Sequence, residues 1–413
     1  METPVIIIAI GLFIFFGHYL SGLFERRGVP DVLGLMLIGM LLGPVLRIVN
    51  PDNFGTFGSL FSNLVLIFIL FESGTELRIS ELKSSFRDSA AITTSGFVVT
   101  SIATFALCFL IFRLHWLSCL FVGTALGGTS AAVVVGLVRK ISIRPKTSTT
   151  LIVESAESDV FTLAIPLSIL GLMLTGTIDA KTVISQFISA LVLALLIGVA
   201  GAFVWSYIIN KIPTLKSTKF STPAFLFLLY GIAEYLHFSG PLTALSFGIA
   251  IGNLEFLEPK LLSTIIPNQR IVLPSEEKDF FSQIVFLLRT FFFVFIGVSI
   301  RMDRMDWLLW GALITLVLFV LRAFTVRWVI SSRVPVLDRA VMATMIPKGL
   351  GAAVIATLPL QHGHPDGIII QSICFSVILF STLFCVILFF LVRNGLTLPL
   401  YALLYRVPPP GNQ

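Results

Sequence analysis

The chain has 413 residues, of which 56% are hydrophobic and only 12% are charged, and its formal net charge is +6. Soluble domains carry about a quarter charged residues, so this composition, with a mean hydropathy of +0.99, excludes a cytosolic enzyme, a disordered scaffold and a disulfide-framed secreted domain. The chain must lie largely in lipid. Its basic residues sit in short segments between apolar runs, which in a membrane protein indicates topology and not nucleic-acid binding.

Apolar runs that are long enough to cross a bilayer predict an all-α membrane protein with 13 transmembrane helices. A span needs about 20 residues, and fewer where a helix is broken. The predicted spans are 4–24, 31–48, 57–73, 90–113, 116–138, 147–174, 182–210, 221–237, 241–254, 280–300, 307–330, 340–359 and 368–392. The first is not a cleaved signal peptide, because no basic residue precedes it. Most lysines and arginines follow odd-numbered spans, which predicts an outside N-terminus and a cytoplasmic C-terminus.

Three pairs of motifs recur seven spans apart. The pairs are 128–134 with 349–355 in spans five and twelve, Gly39 and Gly43 with Gly248 and Gly252 in spans two and nine, and 74–78 with 297–301 at the ends of spans three and ten. An odd offset reverses the direction of a span. The pattern therefore predicts inverted-topology repeats of helices 1–6 and 8–13, with span seven as the linker.

Spans five and twelve also contain helix-breaking residues. Gly127 and Gly128 interrupt the fifth span, and Pro347 and Gly349 interrupt the twelfth. Interrupted helices at corresponding places in two halves point to a binding site at the membrane midplane. Close helix packing would explain the glycines, but it would not explain a proline next to Lys348.

Span six carries a stripe of oxygen-bearing side chains at membrane depth. Glu154 and Ser158 are neighbours on one helix face, and so are Ser155 and Asp159, whereas Glu157 is displaced from this face. Such charges are costly in lipid, so each is a functional hypothesis, with structural ion pairing as the alternative.

Two further charges lie at membrane depth, Glu72 in span three and Lys348 in span twelve. Carboxylate, hydroxyl and backbone oxygens suit a small hard cation, and histidine or cysteine ligands for zinc or copper are lacking here. A carboxylate removed from water also binds protons readily, so protons compete with the cation. We expect no cofactor beyond a transported cation.

Five short motifs occur together over essentially the whole chain. They are Val29-Pro30 with Gly34, Gly39, Gly43 and Pro44; Phe71-Glu72-Ser73-Gly74; Thr129-Ser130-Ala131; Ala233-Glu234-Tyr235 with Ser239-Gly240-Pro241; and Phe291-Phe292-Phe293 before Gly297. Each motif is weak alone, but their order and spacing are specific. In these motifs the chain resembles the monovalent cation/proton antiporters, and most closely the prokaryotic sodium/proton antiporters of the first cation/proton antiporter family.

The resemblance implies an elevator transporter in the plasma membrane that forms a homodimer and exchanges a monovalent cation, most readily sodium, for protons. It implies crossed discontinuous helices 5 and 12. It divides the chain into a scaffold part at 1–89, the first half of the ion-translocating core at 90–174, a linker and dimerisation part at 175–300, and the second half of the core with a short cytoplasmic C-terminus at 301–413.

The resemblance also assigns roles to residues. Asp159 becomes the ion- and proton-binding carboxylate, with Ser155, Glu72 and Thr129 as further oxygen ligands. Ser158 is also counted among the ion- and proton-binding residues. Glu154 is expected to form a structural ion pair with Lys348, which would neutralise the ends of the half-helices.

Two departures from the family affect stoichiometry. Ser158-Asp159 stands where relatives commonly have Asn-Asp and electrogenic ones Asp-Asp, and Lys348 stands where arginine is common. A buried lysine can release its proton, whereas arginine cannot. With one cycling carboxylate and Lys348 held by Glu154, we expect electroneutral exchange. Arg289 and Arg322 are left outside the site, as partners of Glu157 or Glu234.

Four other functions stay open at this point. A potassium/proton antiporter would use the same residues. A sodium-coupled organic-solute symporter would need a roomy polar cavity. An intramembrane hydrolase would need a second aspartate or a histidine near Asp159, and the sequence offers neither. A passive channel would leave the costly titratable stripe without a purpose.

Overall fold

The computed structural model describes residues 11, 15–20, 22–24, 29–49, 55–76, 79–175, 180–212, 220–236, 238–254 and 275–405, and their regular secondary structure is all helical. Within them the helices are α1 Asp31–Met40, α2 Gly55–Glu76, α3 Ile79–Phe112, α4 Trp116–Ala125, α5 Ala131–Val138, α6 Pro145–Thr175, α7 Ala180–Lys211, α8 Ser221–Tyr235, α9 Gly240–Gly252, α10 Ser275–Ser299, α11 Met305–Val329, α12 Val336–Thr344, α13 Leu350–Gln361, α14 Gly367–Arg393 and α15 Leu398–Tyr405. A π-helix, Leu41–Val45, continues α1.

Six helices in the described part are long and apolar enough to cross a bilayer, and five shorter helices are apolar as well. This confirms a helical membrane protein with several spans. The count of 13 stays a prediction, and most of the first predicted span, 4–24, falls outside the described residues.

Both predicted helix interruptions are present. Span five consists of α4 and α5, and span twelve consists of α12 and α13. Glycine is a poor helix former, and Gly127 and Gly128 lie in the first gap. Proline disfavours helical backbone in the residue before it, and Pro347 lies in the second gap. The local backbone chemistry thus accounts for both breaks.

The chain divides into two compact units, and the larger contains residues 1–57, 85–170 and 289–413. In this unit α14 packs against α11, α12 and α13. Helix α1 and its π-helix lie against α10 through glycines, since a Cβ on Gly43 would come within 2.8 Å of the Val298 Cα. Asp31 at the start of α1 and Arg289 on α10 form an ion pair at 3.1 Å, a partner for Arg289 that the sequence analysis did not name.

The smaller unit contains residues 58–84 and 171–288. Here α7, α8 and α9 pack together, and α9 lies on α2. A Cβ on Gly252 would come within 2.6 Å of the Thr75 carbonyl oxygen. In the larger unit, α1 of span two meets α10 of span ten through glycines. In the smaller unit, α9 of span nine meets α2 of span three in the same way. This correspondence fits the predicted offset of seven spans.

Helix α15 follows the last predicted span and was not expected. Gly395 adopts a φ of +78°, a left-handed conformation that glycine accepts without strain and that ends α14. One face of α15 holds Tyr401 and Tyr405, which are buried, and burial raises the pKa of the Tyr405 hydroxyl. The guanidinium of Arg339 lies 4.0 Å from the centre of the Tyr405 ring. These contacts attach α15 to α12.

Candidate functional site

The two helix interruptions are in contact with each other. The Ser130 N–H donates to the Pro347 carbonyl at 2.7 Å, and the Lys348 ammonium donates to the Gly128 carbonyl at 2.9 Å. A Cβ on Gly349 would lie 3.1 Å from the Ser130 Cβ. The unwound segments of spans five and twelve therefore satisfy each other's backbone groups in the interior of the larger unit.

Lys348 supplies positive charge where a half-helix ends. Helix α4 ends at Ala125, and the last carbonyls of a helix carry partial negative charge and lack partners within it. The Lys348 side chain is fully buried, and its ammonium binds the Gly128 carbonyl just beyond that end. Its backbone N–H donates to the Ser381 hydroxyl on α14 at 3.0 Å. Lys348 thus holds both the interruption of span five and that of span twelve in place.

Glu154 pairs with Arg322 in the structure. The two side chains form a bidentate ion pair, with distances of 2.6 Å and 2.7 Å, and each is about 4% exposed. Arg322 also donates from Nε to the Met342 carbonyl, in the last turn of α12, at 3.1 Å. The planar guanidinium matches a carboxylate and still has a donor to spare.

This arrangement replaces the expected ion pair between Glu154 and Lys348. Arg322 on α11 neutralises Glu154, and Lys348 uses its ammonium on a backbone carbonyl. Arg322, which the sequence analysis left outside the site, is therefore part of it. Gly96 on α3 makes room for the pair, because a Cβ there would lie 2.8 Å from Nη1 of Arg322.

Ser158 attaches the unwound part of span five to α6. Its hydroxyl accepts the Thr129 N–H at 3.0 Å, lies 3.2 Å from the Thr129 hydroxyl, and donates to the Ser155 carbonyl at 3.0 Å. These partners use its donor and both of its lone pairs. Ser158 thus anchors Thr129, and its share in ion binding stays a prediction.

Ser155 and the partly buried Asp159 lie one turn apart on α6, as predicted from their spacing. The Ser155 hydroxyl is buried and donates to the Ile152 carbonyl at 2.8 Å, which leaves its lone pairs for a cation. Glu157 faces α3, where its carboxylate accepts from the Thr93 hydroxyl at 2.7 Å. Glu72 lies on α2 of the smaller unit, and its share in the site stays a prediction.

Two hydroxyls at the break of span five were not named from the sequence. Thr162 on α6 and Ser101 on α3 are buried, and in the described structure neither hydroxyl oxygen has a hydrogen-bond partner. Thr162 faces Gly128, and Ser101 faces Gly127. Thr162 continues the stripe of Ser158 by one turn, so the spacing that found the stripe could have included it. Ser101 has no comparable signal.

Gly128→Ala should destabilise the protein by roughly 1–3 kcal/mol, the usual cost of overpacking. The added methyl group would meet the Thr162 hydroxyl and lie 2.8 Å from the Ser158 carbonyl oxygen. Gly136→Ala is the matched control, because nothing lies within 4 Å of a Cβ at that position in α5. Thermal unfolding in detergent measures both, and equal midpoints would contradict the tight approach at Gly128.

Residues 11–397 match the family model described as the transmembrane sodium/hydrogen exchanger. A potassium/proton antiporter of Alkalimonas amylolytica is 23% identical over 388 residues, which are 92% of this chain and 64% of the relative. A sodium/proton antiporter of Methanocaldococcus jannaschii is 24% identical over 318 residues, which are 74% of this chain and 71% of the relative.

Other relatives are longer than the matched region. A potassium/proton antiporter of Shewanella sp. (strain MR-4) is 27% identical over 245 residues, and the match spans only 41% of its length and 57% of this chain. Among solved structures, the sodium proton antiporter of Methanocaldococcus jannaschii at pH 8 superimposes with a TM-score of 0.75 at 21% identity. The match covers 97% of this chain and 99% of that one, and it shows a shared fold.

Proposed function

This chain belongs to the sodium/hydrogen exchanger family, and on that premise we propose that it exchanges a monovalent cation for protons as a secondary active transporter. One observation carries the proposal, the contact between two interrupted helices beside the oxygen-rich face of α6. Broken helices that meet at a buried point expose backbone groups and helix ends to a small ion. Because Glu154 pairs with Arg322, we assign the ion to Asp159, which lies one turn from Ser155 on α6.

In the proposed cycle Asp159 binds either the cation or a proton. Ser155 and Thr129 supply oxygen atoms to the cation. Since one carboxylate serves both ions, loading with one excludes the other, which is sufficient for exchange. With Arg322 and Lys348 charged throughout, one cation replaces one proton and the exchange is electroneutral.

We propose sodium as the cation, with potassium as the second candidate. Oxygen ligands suit both ions, and the ligand set does not separate them by type. The relatives carry names of both kinds, sodium/proton in Methanocaldococcus jannaschii and potassium/proton in Alkalimonas amylolytica and Shewanella. Flux measured separately with sodium, potassium and lithium would rank the ions.

The contacts between the two interrupted helices suggest how the ion site opens alternately to the two sides of the membrane. The breaks, α6 and α11 are connected by the Glu154, Arg322 and Lys348 contacts, so they would move as one body in an elevator mechanism. We propose that the protein lies in the plasma membrane as a homodimer, with an outside N-terminus and a cytoplasmic C-terminus. The distribution of lysine and arginine supports this orientation.

Asp159→Asn should abolish cation-dependent proton movement in proteoliposomes, because the amide binds neither the proton nor the cation with the affinity of a carboxylate. Asp306→Asn is the control, since Asp306 pairs with Arg304 at the exposed start of α11 and should transport like wild type. If no cation moves protons in the wild type at any pH, the antiporter proposal fails. If Asp159→Asn retains wild-type flux, the assignment of the carboxylate fails.

A further inference from the structure

A cavity of about 730 Å³ opens in the larger unit where the π-helix after α1 ends. Its walls come from that helix end, from the end of α10 with the loop that follows, and from the facing ends of α13 and α14. Sites for small organic ligands have volumes of roughly 300–1,000 Å³. The cavity contains none of the residues proposed to bind the transported cation.

The charged residues of the cavity favour an anion. Arg47 and Arg301 line it together with Asp303. Arg301 and Asp303 face each other at 3.3 Å, and both are about half exposed, so this pair is weak and easily displaced. Within the described residues, the Arg47 guanidinium has no hydrogen-bond or ionic partner. Because two guanidiniums outnumber one carboxylate in its lining, the cavity repels cations. In this it differs from a cation pathway.

Arg47 is held in an unfavourable backbone conformation in the wall of the cavity. Its φ is +54°, a left-handed conformation that is unfavourable for a residue with a side chain. The π-helix before it contains Pro44, and the Arg47 N–H donates to the Gly43 carbonyl at 2.7 Å. π-Helical turns and strained residues are concentrated at functional sites. The unfavourable conformation at this position therefore indicates a functional role for Arg47.

The rest of the lining is mixed. Phe295, Leu360 and Ile368 contribute apolar walls, and outside the cavity Leu46 and Ile48 are more than half exposed, as expected of side chains that face lipid. The Ser299 hydroxyl, also in the wall, is buried and lacks a hydrogen-bond partner among the described residues. An occupant should therefore carry an anionic oxygen-rich group and an apolar part.

We propose that this cavity binds the headgroup of a phospholipid, with its phosphate held by Arg47 and Arg301 and its acyl chains along the lipid-facing surface beside Leu46 and Ile48. Guanidinium groups bind phosphate through paired hydrogen bonds. The bound lipid would join the helices of spans two and ten to those of spans twelve and thirteen. It would thus stabilise one arrangement of these helices.

The test is the binding of phosphatidylglycerol to the purified full chain in detergent, followed by native mass spectrometry and by thermal unfolding. The wild type should retain lipid and unfold at a higher temperature as lipid is added. Each guanidinium should contribute about tenfold in affinity, the value of one charge-assisted hydrogen bond. Arg47→Gln with Arg301→Gln should therefore weaken binding roughly a hundredfold.

Arg304→Gln is the matched control. Arg304 is an equally exposed arginine three residues beyond Arg301, it pairs with Asp306 at 3.0 Å, and it is not part of the cavity lining. Gln371→Trp tests the cavity without removing charge, because the ring would fill the space in front of α14. It should lose lipid in the same way as the double arginine variant.

Three results would overturn the proposal. Lipid binding that survives in both the arginine variant and Gln371→Trp would place the lipid elsewhere. A loss of lipid affinity in Arg304→Gln equal to that in the double arginine variant would indicate that the lipid binds to surface charge in general. Stabilisation by inorganic phosphate or glycerol phosphate equal to that by the lipid would show a soluble anion site. None of these readouts depends on transport, so they are independent of the antiporter proposal.

Discussion

Arg322→Met should lower the free energy of unfolding by about 3–5 kcal/mol, the cost of leaving a buried charge without its partner. The Glu154 carboxylate would lose both of its ionic contacts, at 2.6 Å and 2.7 Å, in a place where each side chain is about 4% exposed. The Met342 carbonyl would also lose its donor. We expect a large drop in the midpoint of thermal unfolding in detergent.

The double variant Glu154→Leu with Arg322→Met distinguishes the contribution of the ion pair to stability from that of side-chain packing. Replacement of a buried pair by apolar residues of similar volume is often neutral or stabilising, so the double variant should recover much of the lost stability. The difference in the double-mutant cycle gives the interaction energy. A double variant no more stable than Arg322→Met alone would contradict a direct pair.

Arg289→Met is the matched control for this cycle. Arg289 is also an arginine in a predicted span, but its ion pair with Asp31 is longer, at 3.1 Å, and its side chain and that of Asp31 are 26% and 18% exposed. Partly solvated pairs contribute less than buried ones. Equal losses of unfolding free energy in Arg289→Met and Arg322→Met would show that burial does not determine how much an ion pair contributes.

The backbone features of the site could be predicted from the sequence because they depend on local chemistry. Gly127, Gly128 and Pro347 disfavour helical backbone through their local chemistry, and both breaks are present. The spacing of Ser155 and Asp159 fixes their common face in the same way. The left-handed Arg47, in contrast, has no signal in a single sequence, since only rare contexts force a side chain into that conformation.

The choice of partners could not be predicted, because it depends on how distant helices pack. The sequence analysis paired Glu154 with Lys348 and assigned Arg322 to Glu157 or Glu234. In the structure the partner of Glu154 is Arg322, which lies 168 residues away in the chain. Ser158 stays a predicted ion ligand, and its hydrogen bond from the Thr129 N–H was not foreseen. Helix α15 was missed because eight residues are too short for a span.

Lys348→Met should reduce cation-dependent proton flux in proteoliposomes roughly tenfold. The Gly128 carbonyl would lose the ammonium that binds it at 2.9 Å, and an unsatisfied buried acceptor costs about 1–3 kcal/mol, where 1.4 kcal/mol corresponds to a factor of ten. The gap in span five would then relax away from span twelve. Lys140→Met, at the partly buried turn after α5, is the control that should leave the flux unchanged.

The same lysine decides whether the exchange moves charge. Lys348 donates to a neutral carbonyl, so it could release a proton without breaking an ion pair, which the expected pairing with Glu154 would have prevented. The carbonyl lies just beyond the negative end of α4, and this favours the charged ammonium. We therefore expect Lys348 to keep its proton and the wild type to exchange one cation for one proton.

Clamping the membrane potential at zero with a permeant anion tests this stoichiometry. Electroneutral exchange should run at the same rate with and without the clamp, in the wild type and in whatever flux Lys348→Met retains. A wild-type rate that rises under the clamp, together with a residual rate in Lys348→Met that does not, would identify Lys348 as a second proton carrier. In that case Asp159 would account for only one of the two protons, and the interruption of span twelve would be part of the proton path.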